Sequence, residues 1–137
     1  MIMVVLKIIF SFLLTTAVFF AIDLVWLGLV AKNLYRQYMG HLLSEKVNWT
    51  AAIVFYLIYL AGILLFVVYP SVEKQSVLRA VLLGGAFGLI AYATYDLTNY
   101  ATLKGFPLPI VFIDLAWGTI LTASVSLAGY YIVKWIG

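Results

Sequence analysis

The sequence predicts an all-α integral membrane protein, built as an antiparallel bundle of four transmembrane helices with a short interfacial helix after the first span. Of its 137 residues, 66% are hydrophobic and 9% are charged, whereas soluble domains average roughly 45–50% apolar and about 25% charged residues. The apolar residues also form four long runs, and about 20 consecutive apolar residues suffice to cross a bilayer as a helix. We therefore treat residues 1–137 as a single transmembrane domain.

Composition excludes several classes of function. The formal net charge of +3 comes from eight Lys and Arg residues that are spread singly along the chain, so no basic cluster indicates a nucleic acid partner. The chain has no cysteine, which excludes disulfides, thiolate catalysis and cysteine-based metal sites. His41 is the only histidine and lacks a second nitrogen or sulfur ligand, so no metal site is predicted. We expect no cofactor, and we expect membrane lipid as a partner.

The four spans are predicted at residues 4–31, 50–69, 77–103 and 108–136. The first is longer than the bilayer requires, so a tilted or projecting helix is expected. Residues 32–49 are the one long polar connection, and their apolar side chains recur at the spacing of a short helix lying in the interface. Pro70 is expected to end the second span. Short connections between the later spans make neighbouring helices antiparallel, which places both termini on one side.

The pattern Ile-Asp-Leu-x-Trp occurs twice, at 22–26 and 113–117, and Asp96 begins a third, related stretch. Three of the five acidic residues thus lie inside apolar runs, where a carboxylate costs free energy unless it faces protein, water or a ligand. Asp23 is late in the first helix, Asp96 is late in the third, and Asp114 is early in the fourth. The antiparallel order therefore places all three within about 10 Å of one membrane face.

Helical spacing gives each acid a neighbour that can donate a hydrogen bond. Trp26 follows Asp23 by three residues, and Trp117 follows Asp114 by the same interval. Without an intramembrane Lys or Arg among them, the acids leave negative charge uncompensated unless one is protonated or a cation is present. We predict one ligand or proton site, formed by Asp23, Asp96, Asp114, Asn99, Trp26, Trp117 and Tyr92.

Small residues in the third and fourth spans indicate close helix packing. Gly84 and Gly88 form a Gly-x-x-x-Gly pattern, with Gly85 beside them, and Gly118 begins a second small face in the fourth span. These faces fit either packing within the chain or a homo-oligomer seam. We favour packing within the chain, because four helices of this length need interior seams.

Three segments carry a resemblance to a known family: 23–28 (Asp-Leu-Val-Trp-Leu-Gly), 95–105 (Tyr-Asp-Leu-Thr-Asn-Tyr-Ala-Thr-Leu-Lys-Gly) and 114–119 (Asp-Leu-Ala-Trp-Gly-Thr). With these segments the chain resembles the bacterial membrane proteins grouped as domain of unknown function 2177, over nearly its whole length. The resemblance implies a small multi-span protein of the bacterial cytoplasmic (inner) membrane without an assigned activity. It supplies no mechanism.

Three functions fit the pattern. The favoured one is a binding or transport-type protein whose acids hold a proton, a cation or a polar lipid head group. In it, Asn99 and Tyr92 would orient a central Asp96, while Trp26 and Trp117 would wall the pocket. The second is an intramembrane enzyme acting on lipid or isoprenoid through acid and base carboxylates, although no recognised catalytic motif is present. The third is a structural or assembly subunit. Orientation is not assigned, because four basic residues fall on each side.

Overall fold

The computed structural model of the chain describes residues 1–137. Four helices are long and apolar enough to cross a membrane, and they are labelled here α1 (Ile2–Val30), α3 (Trp49–Glu73), α4 (Val77–Thr102) and α5 (Leu108–Ile136). A shorter helix, α2 (Lys32–Met39), follows the first span. The predicted all-α bundle with a short helix after its first span is confirmed.

Local signals in the sequence set several helix ends. The Ala51 N–H donates to Asn48 Oδ1 at 3.1 Å where α3 begins, and the Arg79 N–H donates to Ser76 Oγ at 3.0 Å where α4 begins. Each side chain satisfies an amide that has no partner within the helix. After α4 the chain turns at Gly105, whose φ of +74° is readily adopted by glycine.

The second span differs from its predicted form because α3 runs through Pro70 and ends at Glu73. A π-helical segment, Ile63–Val68, precedes the α-helical end Tyr69–Glu73. The wider turns place Pro70 in the first turn of a new α-helical segment, where its missing N–H removes no regular hydrogen bond. The first span also ends in a π-helical segment, at Trp26–Val30.

The central helix of the bundle is α5. It packs most closely on α4 and also contacts α1 and α3. The main core combines side chains of α1, α3 and α5: Phe19, Tyr59, Leu60, Ile63, Leu64, Val68, Leu121 and Val125. Many of the remaining large apolar side chains lie exposed on the outside of the bundle, as is suitable for helices surrounded by lipid tails.

The seam between α4 and α5 is formed by small residues. A Cβ atom at Gly88 would collide with the carbonyl oxygen of Gly118, and one at Gly84 would collide with Ser126. At Gly85 a Cβ would lie 3.5 Å from Thr119 Cγ2, an ordinary contact. The absence of side chains at Gly84 and Gly88 lets the two backbones approach closely. These glycines therefore pack against a helix of their own chain.

The short helix α2 covers one end of the bundle. Its apolar side chains pack on the beginning of α5 and the connection before it, at Phe106, Ile110 and Val111. Beyond α2, the His41 Nε2–H donates to the Gly105 carbonyl at 2.9 Å, which joins the long connection after α1 to the short connection between α4 and α5. We call this end, which carries the three aspartates, the acid end, and the opposite end, which carries both chain termini, the terminus end.

Candidate functional site

The two Ile-Asp-Leu-x-Trp motifs face one another across α1 and α5. Asp23 and Asp114 are each 8% exposed. The rings of Trp26 and Trp117 stack with centroids 4.4 Å apart and an angle of 9° between their planes. Because each tryptophan follows its aspartate by one helical turn, the stack brings both acidic segments together at the acid end.

Hydrogen bonds cross between the two motifs. The Trp117 indole N–H donates to Asp23 Oδ1 at 3.3 Å. In the other direction, the Trp26 indole N–H donates to Tyr35 Oη at 3.3 Å, and the Tyr35 hydroxyl donates to Asp114 Oδ1 at 2.5 Å. The tryptophan of one motif thus contacts the acid of the other directly, while the reverse connection passes through a residue of α2.

Tyr35 is a site residue that the sequence analysis did not identify. The spacing of the apolar side chains in residues 32–49 predicts a helix that lies in the membrane interface, and the partner of Tyr35, Asp114, lies 79 residues further along the chain. Burial, followed by the hydrogen bond to Asp114, raises the pKa of Tyr35 above its ordinary value of 10.0. Tyr35 therefore stays protonated at neutral pH and remains a hydrogen-bond donor.

Asp96 has the least satisfied environment of the three acids. Its side chain is fully buried, at 0% exposure, and neither carboxyl oxygen accepts a hydrogen bond from a donor side chain or backbone N–H. It lies next to the carboxyl group of Asp114. A buried polar group without a partner costs free energy, and a buried charge costs much more unless it is neutralised. Asp96 and Asp114 form what we call the acid pair.

The predicted orientation of Asp96 by Asn99 and Tyr92 is wrong, since neither residue donates a hydrogen bond to it. Asn99 lies beside Tyr95 instead. The ring of Tyr92 packs over Gly118, where a Cβ atom would overlap it. Tyr92 and Asp96 share a face of α4 and both contact α5, but Tyr92 packs on Gly118 and Asp96 lies next to Asp114.

A cavity of about 340 Å³ lies beside the acid pair. Aromatic side chains form most of its wall, and Asp114 supplies the carboxylate: the lining residues are Phe55, Tyr59, Ala91, Tyr92, Tyr95 and Asp114. The Tyr59 hydroxyl also forms a 2.7 Å hydrogen bond with Thr122 Oγ1. We call this space the tyrosine cavity.

The tryptophans do not line the tyrosine cavity, so their predicted role as its walls is wrong. Trp26 and Trp117 border a separate apolar depression, which shares no lining residue with the tyrosine cavity. Asp23 lies with them, held by Trp117. No group of three or more His, Asp or Glu side chains is arranged to hold a metal ion. The structure thus divides the predicted site into two parts. One part, which we call the clamp, consists of Asp23, Trp26 and Trp117, and the other is the acid pair with the tyrosine cavity.

Comparison with known proteins gives the chain a family. No match was found among curated proteins or among solved structures. The family model described as "Predicted membrane protein (DUF2177)" matches residues 8–131, a range that includes both motifs and Asp96. The chain belongs to this family, and the predicted resemblance is confirmed. The description supports an integral membrane location and names no activity.

Proposed function

We propose that this member of the family is a binding protein of the bacterial cytoplasmic (inner) membrane whose acid pair takes up a positively charged group. The occupant is a proton or an ammonium group, such as that of a cationic lipid head group entering from the acid end. The observation that carries this proposal is Asp96, a fully buried carboxyl group that accepts no hydrogen bond from a donor side chain or backbone N–H and lies next to the carboxyl group of Asp114.

Charge is the first support. The one hydrogen-bond donor to the acid pair is the Tyr35 hydroxyl, which is neutral. Two adjacent carboxylates without a cationic neighbour repel each other, and the low dielectric of a bundle interior makes that repulsion strong. One bound proton or one bound cation removes it. The acid pair is therefore suited to exchanging a proton for a cation.

The walls of the tyrosine cavity are the second support. Four aromatic side chains surround the space next to Asp114, and aromatic faces attract ammonium groups, most strongly where water is excluded. The volume of about 340 Å³ lies at the lower end of the range of about 300–1,000 Å³ that is usual for ligand pockets. A small organic ammonium group fits this combination of charge, aromatic surface and size.

Tetramethylammonium chloride is a suitable probe of the purified protein in detergent. It is expected to raise the thermal unfolding midpoint of the wild type with increasing concentration, because ligand binding stabilises the folded state. Sodium chloride at the same ionic strength is the reference. Asp96→Asn and Asp114→Asn should abolish the shift, while Glu45→Gln, an exposed acid near the same end, should retain it.

Proton exchange is measured in the same preparation. In weakly buffered solution with a pH-sensitive dye, tetramethylammonium should release protons from the wild type and none from the two Asn variants. Unchanged probe binding and unchanged proton release in Asp96→Asn and Asp114→Asn would contradict the proposal.

An enzyme acting on lipid or isoprenoid is the alternative. The enzyme alternative is favoured by the unequal surroundings of the acid pair, since Asp114 lines the tyrosine cavity, whereas Asp96 is fully buried and does not line it. Two carboxyl groups in different environments can serve as acid and base. Lipid profiles of cells with and without the gene distinguish the two functions, because binding alone would not create or remove a lipid class.

A role as an assembly subunit, in which the Gly-x-x-x-Gly pattern of α4 contacts a second chain, has less support. The faces of Gly84 and Gly88 are occupied by α5 of the same chain. A homo-oligomer would therefore need another surface.

A further inference from the structure

The net charge of the chain is concentrated at the terminus end. Helix directions place four basic residues there, Lys7, Lys74, Arg79 and Lys134, with Glu73 as the one acid. At the acid end, four basic residues accompany four acidic ones. The formal net charge of +3 therefore belongs to the terminus end. An end with this charge attracts anionic groups.

An apolar groove opens at the terminus end between α1, α3 and α5. Its volume is about 750 Å³, and 10 of its 14 lining residues are hydrophobic. No Asp or Glu side chain lines it. Lys7 on α1 and Lys134 on α5 are its charged side chains, and both are exposed. The groove thus combines a long apolar surface with two positive charges and has no carboxylate side chain in its lining.

We propose that this groove binds an anionic membrane phospholipid, with the head-group phosphate at Lys7 and Lys134 and an acyl chain along the apolar surface. Both lysines lie within about 10 Å of the end of their helix at 1.5 Å per residue. Lysine stems run along apolar surface while the ammonium group reaches towards the head groups. The charges therefore lie at phosphate level, and the apolar lining extends towards the hydrocarbon core.

The phospholipid groove is independent of the acid pair. It lies at the opposite end of the bundle, and the two sites share no lining residue. Asp114→Asn, which should abolish tetramethylammonium binding, is expected to leave phospholipid binding unchanged. Failure of one proposal would therefore leave the other standing.

Native mass spectrometry of the detergent-purified protein tests the groove with phosphatidylglycerol and phosphatidylcholine that carry the same acyl chains. The wild type should bind phosphatidylglycerol at least about tenfold more tightly, the scale expected for two basic side chains near an anionic lipid. The double variant Lys7→Gln with Lys134→Gln should lose this preference. The matched control, Lys74→Gln with Arg79→Gln, removes two charges from the same end outside the groove and should keep it.

A steric variant tests the apolar surface without changing charge. Ala61 lines the groove, so Ala61→Phe should weaken binding of both phospholipids. Ala86→Phe is the control, because Ala86 is exposed on α4, which does not line the groove. Thermal unfolding midpoints check that each variant is folded. Equal binding of the two phospholipids by the wild type would overturn the proposal. An equal loss of the preference for phosphatidylglycerol in the groove variant (Lys7→Gln with Lys134→Gln) and in its matched control (Lys74→Gln with Arg79→Gln) would overturn it as well.

Discussion

The two Ile-Asp-Leu-x-Trp motifs have the same pattern and equally buried acids, yet they have different surroundings. Asp23 accepts a hydrogen bond from the indole of Trp117, which stacks on Trp26. Asp114 accepts a hydrogen bond from Tyr35, lies beside Asp96 and lines the tyrosine cavity. One acid therefore helps to join α1 to α5, while the other is part of the candidate binding site.

The difference shows that two identical motifs can have different neighbours in the folded bundle. In both copies the acid and the tryptophan lie one turn apart, because helix geometry fixes that relation. The helix that packs against each acid supplies the difference: α5 presents an indole to Asp23, and α4 presents a second carboxyl group to Asp114. Three predictions test this comparison.

The largest difference is expected in cation binding. Asp114→Asn should weaken tetramethylammonium binding at least about tenfold, or ~1.4 kcal/mol, because it removes the charge that lines the cavity. Asp23→Asn should change that affinity by less than about twofold and act on stability instead, since its partner is an indole of the clamp. Fluorescence titration of both variants measures the affinities. Equal losses of affinity would show that the motifs are functionally equivalent.

The glycines that follow the two motifs should differ in their tolerance of a methyl group. A Cβ at Gly118 would overlap the Tyr92 ring, whereas nothing lies within 4 Å of a Cβ at Gly28. Gly118→Ala should therefore destabilise the protein by about 1–3 kcal/mol through overpacking. Gly28→Ala should be neutral or slightly stabilising. Thermal unfolding in detergent measures both, and a harmless Gly118→Ala would contradict the close packing of Tyr92.

The two cross-connections between the motifs should differ in strength. Tyr35→Phe removes the donor to Asp114 and the acceptor of the Trp26 N–H, so it should cost about 1–2 kcal/mol. Trp117→Phe removes one longer hydrogen bond, and we expect it to cost about 0.5–1 kcal/mol from that bond. Chemical unfolding of both variants measures the difference. An unchanged stability of Tyr35→Phe would show that α2 does not strengthen the acid end.

Tyr35 also provides a pH test of its own hydrogen bond. Its folded-state pKa is raised above 10.0, so its contribution to stability is complete below that pH and is lost as the pH rises through the folded-state value. The stability advantage of the wild type over Tyr35→Phe should therefore shrink in strongly alkaline solution. If the stability difference between the wild type and Tyr35→Phe were independent of pH, it would not come from the hydrogen bond that the protonated Tyr35 hydroxyl donates.

Much of the fold followed from local features of the sequence. The lengths of the apolar runs and the composition of the chain predicted four membrane spans, and the short connections between the later spans predicted that neighbouring helices are antiparallel. The path of α3 through Pro70 did not follow, because it depends on a π-helical segment whose buried residues pack on α4 and α5. The depth of the three aspartates could be predicted because helical rise converts residue number into position along the axis.

The sequence by itself determined the class of the protein, its approximate spans and the end of the bundle that carries the acids. Tertiary structure decided which of those acids has a partner. The Tyr35 hydroxyl donates to Asp114, 79 residues further along the chain, whereas no donor group reaches Asp96. Sequence spacing fixes which residues share a face of one helix, but the rotation of each helix against its neighbours depends on side chains that pack across the whole bundle.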